Sequence, residues 1–199
     1  MTRIVSGMAV SLDGYIAGPD DGREQPLGRR GDRLFEWYFD GDTPSRFYPS
    51  FRLSKPSAEF FDEFANRFAA VISGRRTYDI SNGWSGSGPL PGAALFVLTH
   101  SVPDSVPRGD PPYTFVTSGI RDAIDQARVA AGEKDVSIMG SACFRQALGE
   151  GLLDEIILHV VPVLLGGGVR LLDDVEADLR CTAVLDAPGV THLTYEVVK

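Results

Sequence analysis

Residues 69–77 read Ala-Ala-Val-Ile-Ser-Gly-Arg-Arg-Thr. A run of small and β-branched residues predicts a short buried strand over 69–73, and Gly74 ends it. Two arginines and a threonine then open a helical turn. A strand passing through glycine into a helix start is the unit of a parallel sheet covered by helices.

Working outward, the same grammar recurs. Residues 94–98 (ALFVL) predict a strand followed by Thr99-His100-Ser101, and residues 113–116 predict another. Residues 135–139 (DVSIM) predict a strand that turns at Gly140-Ser141 into a helix over 142–149. Ser118 is expected to cap a helix with Ile120, Ala123, Ile124 and Ala127 as its apolar stripe, ended by Gly132. Upstream, residues 3–11 predict the first strand, stopped at Asp13-Gly14. Residues 56–68 predict a helix in which Phe60, Phe61, Phe64 and Phe68 form a core stripe behind Pro56. Downstream, residues 155–163 predict a long strand, and 180–186 with 191–198 a closing antiparallel pair. The fold class is α/β: a three-layer α/β/α domain spanning 1–199, with a mainly parallel central sheet and antiparallel C-terminal strands. Residues 18–55, rich in glycine, proline and charge, read as a long lid-like loop with a short helix near 34–39.

Composition bounds the function. The 199 residues carry 27 acidic and 19 basic side chains, a formal charge of −8. That balance argues against nucleic acid and anionic membranes, both of which are bound through a basic excess. It leaves room for an anionic small molecule held by a local basic cluster. Cys143 and Cys181 form no Cys-x-x-Cys pair, and His100, His159 and His192 are scattered, so no metal site is expected. The N-terminus lacks the long apolar core of a signal peptide, and no run approaches a membrane span. A cytoplasmic protein is expected.

In parallel sheets, ligands gather beyond the carboxyl ends of strands. Gly74-Arg75-Arg76-Thr77 suits a phosphate there, because a helix start offers free N–H groups and guanidinium adds paired donors. The competing reading is a pair of solvated arginines. Thr99-His100-Ser101 and Gly140-Ser141-Ala142 stand at two further strand ends, and either is also readable as an ordinary polar turn. Neither is a Gly-x-Gly-x-x-Gly fingerprint after a first strand, which excludes an ordinary dinucleotide-binding half. Asp13 serves either as a proton relay or as a turn former. His159, amid aliphatics, is either a substrate-facing group or a buried structural histidine. Trp37, Tyr38 and Phe39 are either a lid over a flat ring or packing.

Taken in order, Ser11-Leu12-Asp13-Gly14-Tyr15-Ile16-Ala17, Gly74-Arg75-Arg76-Thr77-Tyr78, Ile138-Met139-Gly140-Ser141 and Gly151-Leu152-Leu153-Asp154-Glu155 resemble the dihydrofolate-reductase-like superfamily. The branch most similar is the reductase domain of bacterial riboflavin biosynthesis and its stand-alone relatives, whose strand end Pro162–Gly168 resembles. The resemblance covers nearly the whole chain, with 18–55 the least matched part. It implies NADPH as cofactor, hydride transfer to a small heterocyclic substrate, and a homodimer. By position, Gly74, Arg75, Arg76 and Thr77 would hold the 2′-phosphate and pyrophosphate. Thr99, His100 and Ser101 would flank the adenosine. Gly140, Ser141, Ala142 and Cys143 would line the pyrophosphate and nicotinamide ribose, and Ala9 and Ile16 the nicotinamide.

Two departures stand out. Ser141 replaces the second of two adjacent glycines, which would constrain that peptide. The acidic residue that folate reductases carry early in their first long helix aligns with Ala58, leaving Glu59 beside it as the catalytic candidate, together with Asp13 and His159. No His-x-Glu followed by Cys-x-x-Cys is present, so the zinc deaminase signature is missing. The alternative function is a nucleotide- or ligand-binding module without chemistry.

Overall fold

The computed structural model describes residues 2–106, 108–110 and 112–199; Pro107 and Pro111 of the proline-rich loop after Ser101 lie outside the described residues. In chain order the strands are β1 (Ile4–Ser11), β2 (Tyr15–Ala17), β3 (Thr43–Pro44), β4 (Arg52–Leu53), β5 (Phe68–Gly74) and β6 (Ala94–Leu98). They continue as β7 (Thr114–Val116), β8 (Asp135–Met139), β9 (Glu155–Val161), β10 (Val169–Arg170), β11 (Leu179–Ala187) and β12 (Val190–Val197). The α-helices are α1 (Lys55–Asn66), α2 (Arg75–Ile80), α3 (Ile120–Ala131) and α4 (Ser141–Gly149).

Eight strands form one sheet in the order β11-β12-β9-β1-β8-β5-β6-β7. Neighbours from β9 through β7 run parallel, and β12 runs antiparallel to both β9 and β11. Side chains alternate between the faces of a strand, so a continuous apolar run must be covered on both sides. On one face Ile4, Ala70, Ile72, Phe96, Val136, Ile138 and Ile156 pack against Ile120, Ala123 and Ile124 of α3 and Phe144 and Ala147 of α4. On the other, Val5, Val71, Leu95, Val97 and Ile157 pack with Ala65 of α1 and Tyr78 of α2. The expected three layers result. Among the described residues, no helix is long and apolar enough to cross a membrane.

Three expectations need correction. Residues 18–55 are not a loop laid over a finished domain. They contain a 3-10 helix, Gly31–Tyr38, and the small β3–β4 ladder, and they supply Leu34, Trp37 and Leu53 to a third core with Ala58, Phe61, Val161, Val163 and Val190. The glycines there serve close approach: a Cβ on Gly28, which sits at φ +68, would collide with the Gly18 carbonyl. Second, Ser118 does not cap α3. Its hydroxyl bonds to Asp122 while Gly119 takes the N-cap position with no side-chain bond. Third, Phe68 lies in β5 rather than on the helix, and Phe61, Phe64 and Phe68 wall a cavity as well as filling core.

Candidate active site

A cavity of about 890 Å³ opens along the carboxyl ends of the central strands. One end is built by two strand-to-helix turns that touch. Gly140, between β8 and α4, has φ +87, and a Cβ there would stand 2.8 Å from the Thr77 hydroxyl of α2. Only glycine holds that backbone so near a neighbour without strain. Neither Gly140 nor Gly74 provides a side-chain cap to the helix it begins, so α4 presents uncapped N–H groups to this end. Ser141 is the first helical residue of α4 and has no positive φ, so the departure from a glycine pair leaves the turn undistorted.

The two arginines differ in what holds them. The Arg75 Nε donates to both Asp79 carboxylate oxygens at 3.0 Å, and its Nη1 donates to Thr99 Oγ1 at 3.2 Å and to the Ser101 carbonyl at 2.7 Å. Arg76 is held by segment 18–55: its Nη2 lies 2.9 Å from Asp21 Oδ1. Cys143, also on the wall, is buried, and burial pushes its thiol up to about 12, so it stays protonated.

The far end is aromatic. Phe35, Tyr38, Tyr48 and Phe51 from segment 18–55 line it together with Phe61 and Phe64 of α1. Tyr48 and Phe51 stack with 4.8 Å between ring centres, and Tyr38 meets Phe61 edge-on at 5.4 Å. The Tyr48 hydroxyl bonds to the Pro89 carbonyl, joining this segment to the loop over the cavity. Trp37 packs behind this wall against His159 and His192, and Phe39 points to solvent.

His159 sits at the inner end. It pairs with Ala9 on β1 and with His192 on β12, so the two imidazoles are cross-strand neighbours. Their Nδ1 atoms are 2.8 Å apart, and His192 Nε2 is 3.0 Å from the Ser57 hydroxyl. Burial, reinforced for His159 by its neighbour, lowers them to about 3 and about 4, so both are neutral at ordinary pH.

Among the sequence candidates, Ala9, Ile16, Gly74, Arg75, Arg76, Thr77, Thr99, His100, Gly140, Ser141, Ala142, Cys143 and His159 are brought together around this one cavity. Ser101 is not; it is exposed, and its carbonyl anchors Arg75. Glu59 points to solvent beside Lys55 and does not line the cavity, because the 100° step from the buried Ala58 turns it off the core-facing side of α1. Asp13 also lies off the wall. It accepts from Ser11 Oγ at 2.6 Å, Leu165 N at 3.1 Å and Gly166 N at 2.7 Å, clamping the segment after β9 to the turn after β1. Partial burial opposes its charge, but these bonds prevail and hold it at about 2, so it has no proton to relay at neutral pH. Tyr48, Phe51, Asp21 and the partner imidazole His192 were not readable from spacing. Each reaches the site through a contact distant in sequence.

No group of three or more His, Cys, Asp or Glu placed to hold a metal occurs among the described residues. The chain is 27% identical over 190 residues to the uncharacterised Bacillus subtilis (strain 168) protein YwjB, covering 94% of each. It superposes on a protein described as a riboflavin biosynthesis protein, from Shewanella sp. PV-4, with a TM-score of 0.70, 26% identity and full coverage of both chains. Enterococcus faecalis dihydrofolate reductase, solved with NADP(H), shares the fold at a TM-score of 0.61 and 15% identity, over 99% of this chain and 97% of that one. The three-layer architecture is thus dihydrofolate-reductase-like. Its reductase-like sheet and its sequence lead to one family: residues 2–192 match the RibD C-terminal domain, and the chain belongs to it.

Proposed function

We propose that the chain is an NADPH-dependent reductase of a small, flat heterocycle, related to the pyrimidine reductase of the riboflavin pathway. The observation that carries this reading is the convergence of two strand-end turns at one end of a cavity whose other end is aromatic. The residues present fit the cofactor. Gly140 leaves room where a Cβ would press on Thr77, the uncapped start of α4 favours an anion, and Arg76 offers an exposed guanidinium. In this reading Arg76 and Thr77 hold phosphate oxygens and Arg75, fixed by Asp79 and Thr99, supports the 2′-phosphate. Gly140, Ser141, Ala142 and Cys143 line the pyrophosphate and ribose. Ala9 and Ile16 border the nicotinamide. His100 and Thr99 flank the adenosine.

NADPH held by these residues would supply a hydride (a proton with two electrons) to an electron-poor ring carbon, with the balancing proton drawn from solvent. The chain's own contribution is positioning and exclusion of water: Tyr38, Tyr48 and Phe51 cover the acceptor, and Phe61 and Phe64 support it from α1. The partner in this reading is a small molecule. Pairing of two copies is part of the proposal, and sedimentation at the monomer mass would remove it.

A second reading, binding without chemistry, is favoured by one feature: no carboxylate from α1 lines the acceptor end. Titration with NADPH followed by a pterin, pyrimidine and quinone panel separates the two. Loss of NADPH absorbance with a reduced product supports the reductase; binding with no turnover across the panel supports the module; no NADPH binding overturns both.

A further inference from the structure

The aromatic end of the cavity differs from the phosphate end in charge. The charged lining side chains among the described residues are Asp21, Arg75 and Arg76, and all three belong to the phosphate end. There Arg76 is paired with Asp21 and Arg75 with Asp79. A second phosphate, carried by an acceptor lying among Phe35, Tyr38, Tyr48, Phe51, Phe61 and Phe64, would meet no cation and would lose its water without compensation.

Beside the Tyr38 and Tyr48 hydroxyls, an imidazole lines the cavity. His159 is 2% exposed and lines the cavity; its Nδ1 is committed to His192, and its Nε2 has no hydrogen-bond partner among the described residues. Two neutral imidazoles joined Nδ1 to Nδ1 must share one proton between those atoms. If His192 Nδ1 carries it, His192 Nε2 accepts from the Ser57 hydroxyl and His159 Nε2 bears a hydrogen. If His159 Nδ1 carries it, His192 Nε2–H donates to Ser57 and His159 Nε2 presents a lone pair. The cavity therefore meets either a donor or an acceptor, with no change in charge.

We propose that the acceptor end takes an uncharged, phosphate-free planar ring, seated against the aromatic side chains and hydrogen-bonded to His159 Nε2, with the Ser57–His192–His159 chain adjusting its tautomer to a ring carbonyl or a ring N–H. This rests on the reductase reading, since it assigns the phosphate end to the cofactor. It sets the chain apart from reductases of phosphorylated pyrimidines. His159 is the residue that touches the ligand; His192 and Ser57 are positioning residues.

Lumichrome, a bare flavin ring, and FMN, a flavin carrying phosphate, are the probes. Binding of each is measured by calorimetry on the full chain with NADP⁺ in excess. Lumichrome is expected to bind, and FMN at least about a hundredfold more weakly. His159→Phe is expected to weaken lumichrome at least about tenfold. Because that variant disturbs a packed pair, the wild-type protein is also followed by nitrogen-15 NMR of the imidazoles, where lumichrome is expected to shift His159 Nε2 and change the Nδ1 tautomer of His192. FMN binding as tightly as lumichrome, or imidazole signals unmoved by bound lumichrome, overturns the proposal. A separate NADP⁺ titration keeps the two readings distinct: no NADP⁺ binding removes the reductase, whereas tight NADP⁺ with FMN matching lumichrome removes this inference alone.

Discussion

Arg76 and Asp21 form an ion pair, with Nη2 and Oδ1 2.9 Å apart, that joins the turn after β5 to the start of segment 18–55. A second bond runs from Nη2 to the Asp21 carbonyl, also at 2.9 Å. The guanidinium is two-thirds exposed, so the pair itself adds little stability. Its interest lies in competition, because a phosphate arriving at this end meets a guanidinium already facing a carboxylate.

Arg76→Ala is accordingly expected to weaken NADPH binding by about 1.5–3 kcal/mol, the range for a charge-assisted hydrogen bond. NADH, which lacks the 2′-phosphate, should lose much less if Arg76 holds that group, and as much if it holds the pyrophosphate. Fluorescence titration of both nucleotides against the variant reads the difference. Unchanged affinity for both would remove Arg76 from the site.

Gly140→Ala places a Cβ 2.8 Å from Thr77 Oγ1 at a backbone φ of +87. The strain is about 1–3 kcal/mol, and the turn that carries Ser141 must shift. Both a lower melting temperature and weaker NADPH binding are expected, whereas Gly149→Ala, in open space near the end of α4, should leave the cofactor end intact. Equal nucleotide affinity in the two variants would contradict the role given to the turn.

The His159–His192 pair predicts the acid side of the stability curve. Both imidazoles titrate near 6.5 when unfolded and are lowered to about 3 and about 4 in the fold. Below pH 6.5 the unfolded chain takes up protons that the folded chain does not, so the neutral pair's contribution is complete above that pH and falls as pH drops toward 4. From pH 7 to pH 5 the loss is on the order of 2 kcal/mol per imidazole. Asp13, held at about 2, acts only in a lower window, contributing above pH 4 and losing its contribution beneath it. Denaturant melts at pH 7, 6 and 5 test this; a flat midpoint across them would mean that the pair is not neutral in the fold.

Leu34→Ala measures how far segment 18–55 belongs to the core. Leu34 is fully buried, so the expected cost is about 2–5 kcal/mol. A detachable cover would show a change of under about 0.5 kcal/mol, as surface positions do.

The central sheet was legible because its strands are buried on both faces and so appear as short apolar runs closed by glycine, as at Ala70–Gly74 and Val136–Gly140. That Gly74–Thr77, Thr99-His100 and Gly140–Cys143 share one cavity was legible for the same reason: the residues that follow such strands are fixed in space by the strand itself. The aromatic end was not. Tyr48 and Phe51 lie in a stretch with no period, and what places them is Leu34, Trp37 and Leu53 being drawn into a core built by distant strands. Glu59 and Asp13 misled in opposite ways. A helix position off by one residue faces the wrong way, and the two oxygens of the Asp13 carboxylate are taken by the backbone N–H groups of Leu165 and Gly166, 152 and 153 residues further along the chain. His192 carries no motif at all; only the β9–β12 register puts it against His159.

The third core has a practical side. The rings that wall the acceptor end stand on Leu34, Trp37 and Leu53, so an occupant leans on the same packing that resists unfolding. Any ligand that fills this end raises the melting point, by an amount corresponding to about 2.7 kcal/mol when present at a hundred times its dissociation constant. Heating the protein against a library of flat neutral compounds therefore finds ligands of this end without an assay for turnover, and compounds that raise the melting point together with NADP⁺ are the ones to carry into a test of the reductase reading.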